Sequence, residues 1–357
     1  MRCSPWAQAP SQRLRGARCV VRLEPFAQAE RQRQATRPGL AVRGTFSPTS
    51  PGVRPSSLAW LERWASQIPR SVLGKYCYRY IAFQDRRHPQ TLDTLLMATY
   101  ETLTIDRREK TVVITLNRPD EANGINGLMA RELAVAAQTC DEDPSIKVVV
   151  LTATGRFFCA GGDVKAMATF GDHTALEVKR LADEVHRAIS TFSRMKAPLI
   201  VAVNGIAAGG GFSLAMSGDL VIASESASFT MSYSSVGLSP DGSSSYFLPR
   251  LIGLRKTQEL MFTNRKLGAQ EALDWGLINK ISPPSSLLDE AMRLADIVAL
   301  GAPESNAIVK KLLLATFGNG LETQMEIEGR YISECAASIN GREGILAFTQ
   351  KRAPRFE

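Results

Sequence analysis

The sequence predicts an α/β fold around a mainly parallel sheet. Two observations carry this. From residue 97 onward, short β-branched runs alternate with stretches whose apolar residues recur at helical spacing. That order suits parallel strands joined by crossover helices. Two of the runs lead into glycine-rich segments, where a strand would hand over to a helix.

The elements follow in chain order. Met97-Ala98-Thr99-Tyr100 opens into a strand-like stretch. Thr111-Val-Val-Ile-Thr-Leu116 reads as a strand, and Asn117-Arg118-Pro119 ends it, since proline cannot donate to a ladder. Residues 128–141 place Met129, Leu133, Ala136 and Ala137 at helical spacing. Residues 147–151 form a continuous β-branched run, as in a strand buried on both faces. A helix over 176–195 gathers Leu181, Val185, Ile189 and Phe192 on one face. A strand over 199–203, a glycine turn over 205–211, a helix from Phe212 and a strand over 220–223 follow. From residue 270 onward only helical patterns remain, over 269–276, 287–300, 304–315 and 321–338. The chain therefore divides into a leader (1–96), an α/β core (97–270) and a helical C-terminal segment (271–357). No internal repeat is visible.

Composition excludes several classes. The 357 residues are 44% hydrophobic and 22% charged, as in a soluble globular protein. No apolar run is long enough to span a bilayer. Six Cys occur without a CxxC pair or a Cys/His cluster. That argues against a disulfide scaffold or zinc module and suits a reducing compartment. Three His are too few for a multi-His metal site, so no metal is expected.

The formal charge of +8 is unevenly spread. Residues 1–96 hold fifteen Arg and one Lys against five acidic residues, a balance of +11, whereas 97–357 stands at −3. Nine of the 18 Pro also fall in the leader. The basic character is thus not a nucleic-acid-binding surface of the globular part. Residues 1–59 show neither helical nor strand period and lack the apolar content to offset chain entropy. Leu58, Trp60, Leu61, Trp64 and Ile68, within 58–80, have the spacing of a short amphipathic helix. Three readings of the leader fit: a transit peptide, a nucleic-acid-binding arm, or an upstream extension ahead of a true start at Met97. The third is preferred because Met97 opens the periodic region. The expected location is the cytoplasm, or the mitochondrial matrix if the leader is a transit peptide.

Two segments carry chemistry: Gly155-Arg-Phe-Phe-Cys-Ala-Gly-Gly-Asp163 and Asn204-Gly-Ile-Ala-Ala-Gly-Gly-Gly-Phe212. Small residues let backbone N–H groups approach a ligand, and two converging on one oxygen would make an oxyanion hole. The alternative is that each is only a tight turn. Neither has the spacing of a dinucleotide fingerprint or of a phosphate-binding loop ending in Gly-Lys-Ser/Thr.

Cys159-Ala-Gly-Gly-Asp163 and Asn204-Gly-Ile-Ala-Ala-Gly-Gly-Gly211, in this order, resemble the paired signatures of the crotonase (enoyl-CoA hydratase/isomerase) superfamily. Asn117-Arg-Pro119, Leu273-Asp-Trp-Gly-Leu277 and Phe348-Thr-Gln-Lys-Arg352 fit as well. The resemblance covers 97–357 and none of 1–96. It implies a crotonase-like ββα spiral core with a helical C-terminal segment, an acyl-CoA substrate, and a homotrimer or hexamer. Coenzyme A would belong to the substrate, with no separate cofactor. Gly162 and Gly210 would be the oxyanion donors. Ala160, Gly161, Asp163 and Lys165 would line the path of the nucleotide and pantetheine. Lys351 would approach coenzyme A, its alternative being a solvated tail charge.

The resemblance also frames the reaction. Hydratases of the family carry two glutamates where this chain has Ser213 and Tyr233, neither able to act as a carboxylate base. Several isomerase branches, the epoxyphenylacetyl-CoA isomerases among them, use an aspartate where this chain has Asp241. One base suffices for a 1,3 double-bond shift. Pro240-Asp241-Gly242 is also good turn chemistry, so Asp241 as a turn residue stays open. The 4-chlorobenzoyl-CoA dehalogenases place a nucleophilic aspartate there too. Leu260-Met-Phe-Thr-Asn-Arg-Lys-Leu267 extends that likeness, and His186 falls where that branch has a functional histidine. Tyr233 stands where that branch has Trp. The expected reading is an isomerase, with Tyr233, Ser213 and His186 in support. A dehalogenase, a hydratase, or a non-catalytic acyl-CoA- or RNA-binding relative remain alternatives.

Overall fold

The computed structural model describes residues 100–357. The leader, the helix read over 58–80 and the start at Met97 lie outside the described residues.

Strands β1 (Leu103–Arg108) and β2 (Thr111–Leu116) form an antiparallel hairpin. Helix α1 (Gly127–Glu142) begins at Asn126, whose side chain accepts from the Met129 N–H and so satisfies a free donor of the first turn. Next come β3 (Val148–Ala153), β4 (Phe157–Cys159), the one-turn α2 (Val164–Met167) and the long α3 (Thr174–Arg194). Strands β5 (Leu199–Val203) and β6 (Ile206–Ala208) lead into α4 (Gly210–Ala215). Strands β7 (Leu220–Ser224) and β8 (Ser228–Thr230) precede α5 (Ser244–Ile252) and α6 (Leu254–Thr263). The rest comprises β9 (Leu267–Gly268), α7 (Ala269–Asp274), β10 (Lys280–Ser282), α8 (Leu287–Ala299), α9 (Pro303–Ala315), α10 (Leu321–Ala337) and α11 (Ile339–Thr349).

The large sheet runs β1-β2-β3-β5-β7-β10 and is parallel apart from the first hairpin. Its strands alternate strictly between two faces. Ile114, Val149, Leu151, Val201 and Val203 meet α1 and α3 in the main core. Val113, Val148, Val150, Ile200 and Ile222 meet Leu287, Ala291 and Ala295 of α8 on the other face. Burial on both faces is why these strands read as unbroken apolar runs.

A second sheet, β4-β6-β8-β9, was not legible in sequence. Strands of two or three residues are too short to show a period. The expected turn at 205–211 is thus corrected: it contains β6, and the helix begins at Gly210. The helical reading after residue 270 also needs one correction, since β10 pairs parallel with β7 at the sheet edge. Otherwise that segment is helical. No helix among the described residues is long and apolar enough to cross a membrane.

Candidate active site

Strands β4 and β6 are parallel neighbours, with Phe157 opposite Ile206 and Cys159 opposite Ala207. Both glycine segments therefore leave the same end of the small sheet side by side. Ligands gather at such strand ends in parallel sheets. The approach is close. A Cβ on Gly161 would lie 2.8 Å from the Ala208 carbonyl oxygen and 3.2 Å from the Gly210 nitrogen. Gly161 also has φ of +94°, and Gly209 has φ +50° with ψ −123°. Both conformations suit glycine and penalise any side chain.

This geometry turns two N–H groups toward one space. Ile125 donates to the Gly161 carbonyl at 2.7 Å, and Asp163 donates back to Ile125 at 3.0 Å. In a parallel bridge the residue between those partners, Gly162, directs its own N–H away from the ladder. Gly210 is the first residue of α4, so its N–H has no partner inside the helix. Among the described residues neither N–H has a hydrogen-bond partner. A Cβ on Gly210 would sit 3.8 Å from the Gly162 nitrogen, so the two donors are neighbours. Paired free donors of this kind can hold a developing oxyanion.

Asp241 lies in the turn before α5. Its carbonyl accepts hydroxyls from Ser213 at 2.8 Å, Ser244 at 3.0 Å and Tyr233 at 3.2 Å. The Ser213 and Tyr233 oxygens are 3.1 Å apart. Gly242 follows because a Cβ there would meet Ser213 Cβ at 2.8 Å. The turn chemistry thus anchors the main chain through its carbonyl and does not engage the carboxylate. His186 Nε2 of α3 lies 2.5 Å from Asp241 Oδ1. The two side chains are 49% and 39% exposed, so both can meet a ligand. The Tyr233 ring reaches the glycine turns: its Cζ would be 4.0 Å from a Cβ on Gly209. Burial pushes the Tyr233 hydroxyl up to about 12, so it stays a neutral donor. Burial likewise pushes Cys159 up to about 12, which keeps it an inert core thiol.

The structure therefore brings together Gly162, Gly210, Ser213, Tyr233, Asp241 and His186. The remaining expected residues sit differently. The Asp163 carboxylate caps α2 through the Ala166 N–H and pairs with Arg118 at 3.2 Å. Ala160 donates its N–H to the Ala122 carbonyl at 3.0 Å. Lys165 on α2 is exposed. Lys351 is exposed just past α11, with φ of 56°, and no hydrogen bond joins it to the glycine turns among the described residues.

A cavity of about 550 Å³ opens beside the turns, lined in part by Ile125, Met167, Phe170 and Leu181. Met167 Cε packs against Gly162, and Ile125 Cδ1 would be 3.8 Å from a Cβ on Gly210. Both side chains thus border the cavity and touch the turns that carry the two donors. Sequence reasoning did not find Met167 or the cavity, because a one-turn helix carries no period to mark which side faces the site. Among the described residues no group of three or more His, Cys, Asp or Glu is placed to hold a metal ion.

Known proteins share this arrangement of elements. The sequence model of the family described as enoyl-CoA hydratase/isomerase matches residues 106–357. The chain is 34% identical over 246 residues to the 1,2-epoxyphenylacetyl-CoA isomerase of Escherichia coli (strain K12), covering 69% of this chain and 94% of that protein. It is 32% identical over 262 residues to the crotonyl-CoA hydratase of Syntrophomonas wolfei, covering 72% of this chain and 98% of that one. The crystal structure of an enoyl-CoA hydratase from Polaromonas sp. JS666 superposes with a TM-score of 0.69 at 33% identity, over 71% of this chain and 99% of that chain.

Proposed function

We propose a function from one premise: the chain belongs to the enoyl-CoA hydratase/isomerase family and has the crotonase fold. The reading is an acyl-CoA thioester isomerase. The thioester oxygen accepts from the Gly162 and Gly210 N–H groups, which acidifies Cα and stabilises the enolate. The Asp241 carboxylate removes a proton from Cα and returns it to the far carbon of the allylic system. The double bond moves, no atom is gained or lost, and no cofactor beyond the coenzyme A of the substrate takes part. His186 holds the carboxylate in position. Ser213 and Tyr233 fix the Asp241 main chain. Ala160, Gly161, Asp163, Lys165 and Lys351 are assigned to the nucleotide and pantetheine path.

One observation carries this reading. The Asp241 carboxylate is 39% exposed and touches His186, whereas the two positions that bear glutamate in hydratases of the family hold Ser213 and Tyr233 hydroxyls bonded to the Asp241 carbonyl. Hydration by two carboxylates then has no second carboxylate at these positions. A second reading is favoured by the His186 contact. Asp241 would attack the chlorine-bearing ring carbon of a 4-chlorobenzoyl thioester and expel chloride, and the imidazole would activate the water that cleaves the resulting aryl ester. Presenting 3-enoyl, 2-enoyl, epoxyphenylacetyl and 4-chlorobenzoyl thioesters separates these. Isomerisation conserves mass, hydration adds water and dehalogenation releases chloride. Water addition to a 2-enoyl thioester at a rate above isomerisation would overturn the proposal.

A further inference from the structure

The charges lining the cavity beside the glycine turns are matched, with one exception. Asp163 pairs with Arg118, Glu177 with Arg180, Asp183 with Lys179 and Glu184 with Arg187. Arg131 also lines the cavity. Its guanidinium folds back along α1, with Nη1 3.3 Å from where a Cβ on Gly127 would lie. Arg131 alone among these ionised groups has no ion pair or hydrogen bond to any described residue.

Between its ion pairs the cavity lining also has four large apolar side chains. Ile125 and Met167 touch the glycine turns, and Phe170 and Leu181 continue the wall. Those four side chains can pack against a hydrocarbon spacer. A guanidinium fork matches a single carboxylate in two parallel hydrogen bonds. A coenzyme A phosphate would carry more charge than one guanidinium can match, and it would lie at the other end of the thioester from the acyl chain.

We propose that Arg131 makes the site selective for acyl groups that end in a carboxylate, that is, monothioesters of short dicarboxylic acids. This rests on the acyl-CoA reading above and deepens it. The thioester oxygen sits on Gly162 and Gly210, the hydrocarbon spacer lies along Ile125, Met167, Phe170 and Leu181, and the distal carboxylate meets Arg131. Arg131 is exposed, so water competes and the selectivity is modest.

Saturated thioesters test charge recognition without chemistry. Calorimetry with the full chain compares adipoyl-CoA monothioester with hexanoyl-CoA, which have the same carbon count and differ in the terminal carboxylate. The native protein binds the adipoyl thioester about tenfold more tightly. Arg131→Gln brings the ratio near one, Arg131→Lys restores part of it, and melting curves verify that both variants fold. High salt shrinks the native ratio. A native ratio near one removes this proposal and leaves the isomerase reading standing. An Arg131→Gln variant that weakens both ligands by the same factor assigns the guanidinium to coenzyme A and overturns the proposal. Binding of neither thioester removes the acyl-CoA reading and this one with it.

Discussion

Asp241 combines a fixed main chain with a usable side chain. Three hydroxyls hold its carbonyl, and His186 reaches its carboxylate. Asp241→Asn keeps the size and the turn, so thioester affinity, carried by backbone donors at Gly162 and Gly210, should change little. Turnover should fall about a hundredfold or more, and deuterium exchange at Cα should vanish. Steady-state kinetics and mass spectrometry check both. His186→Gln, which can still donate, should lose less than His186→Ala. The positions of Asp241, Ser213 and Tyr233 stood out in the sequence because the resemblance sets the family's acid/base positions at fixed distances from Gly209-Gly-Gly211. Arg131 and Met167 were not, since only folding brings α1 and α2 to the same cavity. Burial supplies a pH prediction. Tyr233 is held up to about 12, and Cys140 and Cys159 likewise. Folded-state values above the unfolded ones mean that the unfolded chain releases these protons first. The resulting stability is complete below about pH 8.5 and declines as pH rises toward 12. The melting temperature should drop across that alkaline window, and Tyr233→Phe should drop less.

The elements that sequence reasoning placed well are those long enough to show a period. The strands at 111–116, 147–151, 199–203 and 220–223 and the helices at 128–141 and 176–195 match β2, β3, β5, β7, α1 and α3 within a few residues. The small sheet escaped because each of its strands makes only two or three residues of ladder, and its stability comes from neighbours rather than pattern. Yet that sheet aligns the two glycine turns, so the least legible element positions the chemistry. An ion pair with a buried ammonium ties the helical segment to the core. Lys310 of α9 reaches Asp219 at 2.7 Å and the carbonyls of Phe192 at 2.8 Å and Ala197 at 3.1 Å. Burial lowers the lysine and raises the aspartate, so the pair is costly to break singly. Lys310→Met should destabilise by about 1–3 kcal/mol in urea unfolding, because it leaves the buried Phe192 and Ala197 carbonyls without their donor and Asp219 without its cation. Adding Asp219→Asn should recover part of that loss. A single variant as stable as the native chain would show that the pair is not what fastens α9.

At the scale of the whole molecule, the helical segment leaves apolar side chains in water. Phe348 is 85% exposed, Ile332 71% and Leu321 69%, on α11 and α10. Apolar exposure on this scale marks an interaction surface. We propose that copies of the chain cover it as a trimer or a hexamer. Light scattering at micromolar concentration should report one of those masses, and a monomer would defeat the proposal. The other whole-molecule question is where the folded unit starts. Glu132 of α1 accepts the Glu101 and Thr102 N–H groups, each at 2.9 Å. Leu103 is already buried in the main core. These anchors pin the chain just after Met97, and none of them draws on the leader. A chain beginning at Met97 should therefore melt cooperatively, at nearly the native temperature, and keep the native oligomeric mass. Loss of solubility or of the cooperative transition on that truncation would mean that residues 1–96 complete the fold, which their composition, with +11 of net charge and half of the prolines, argues against.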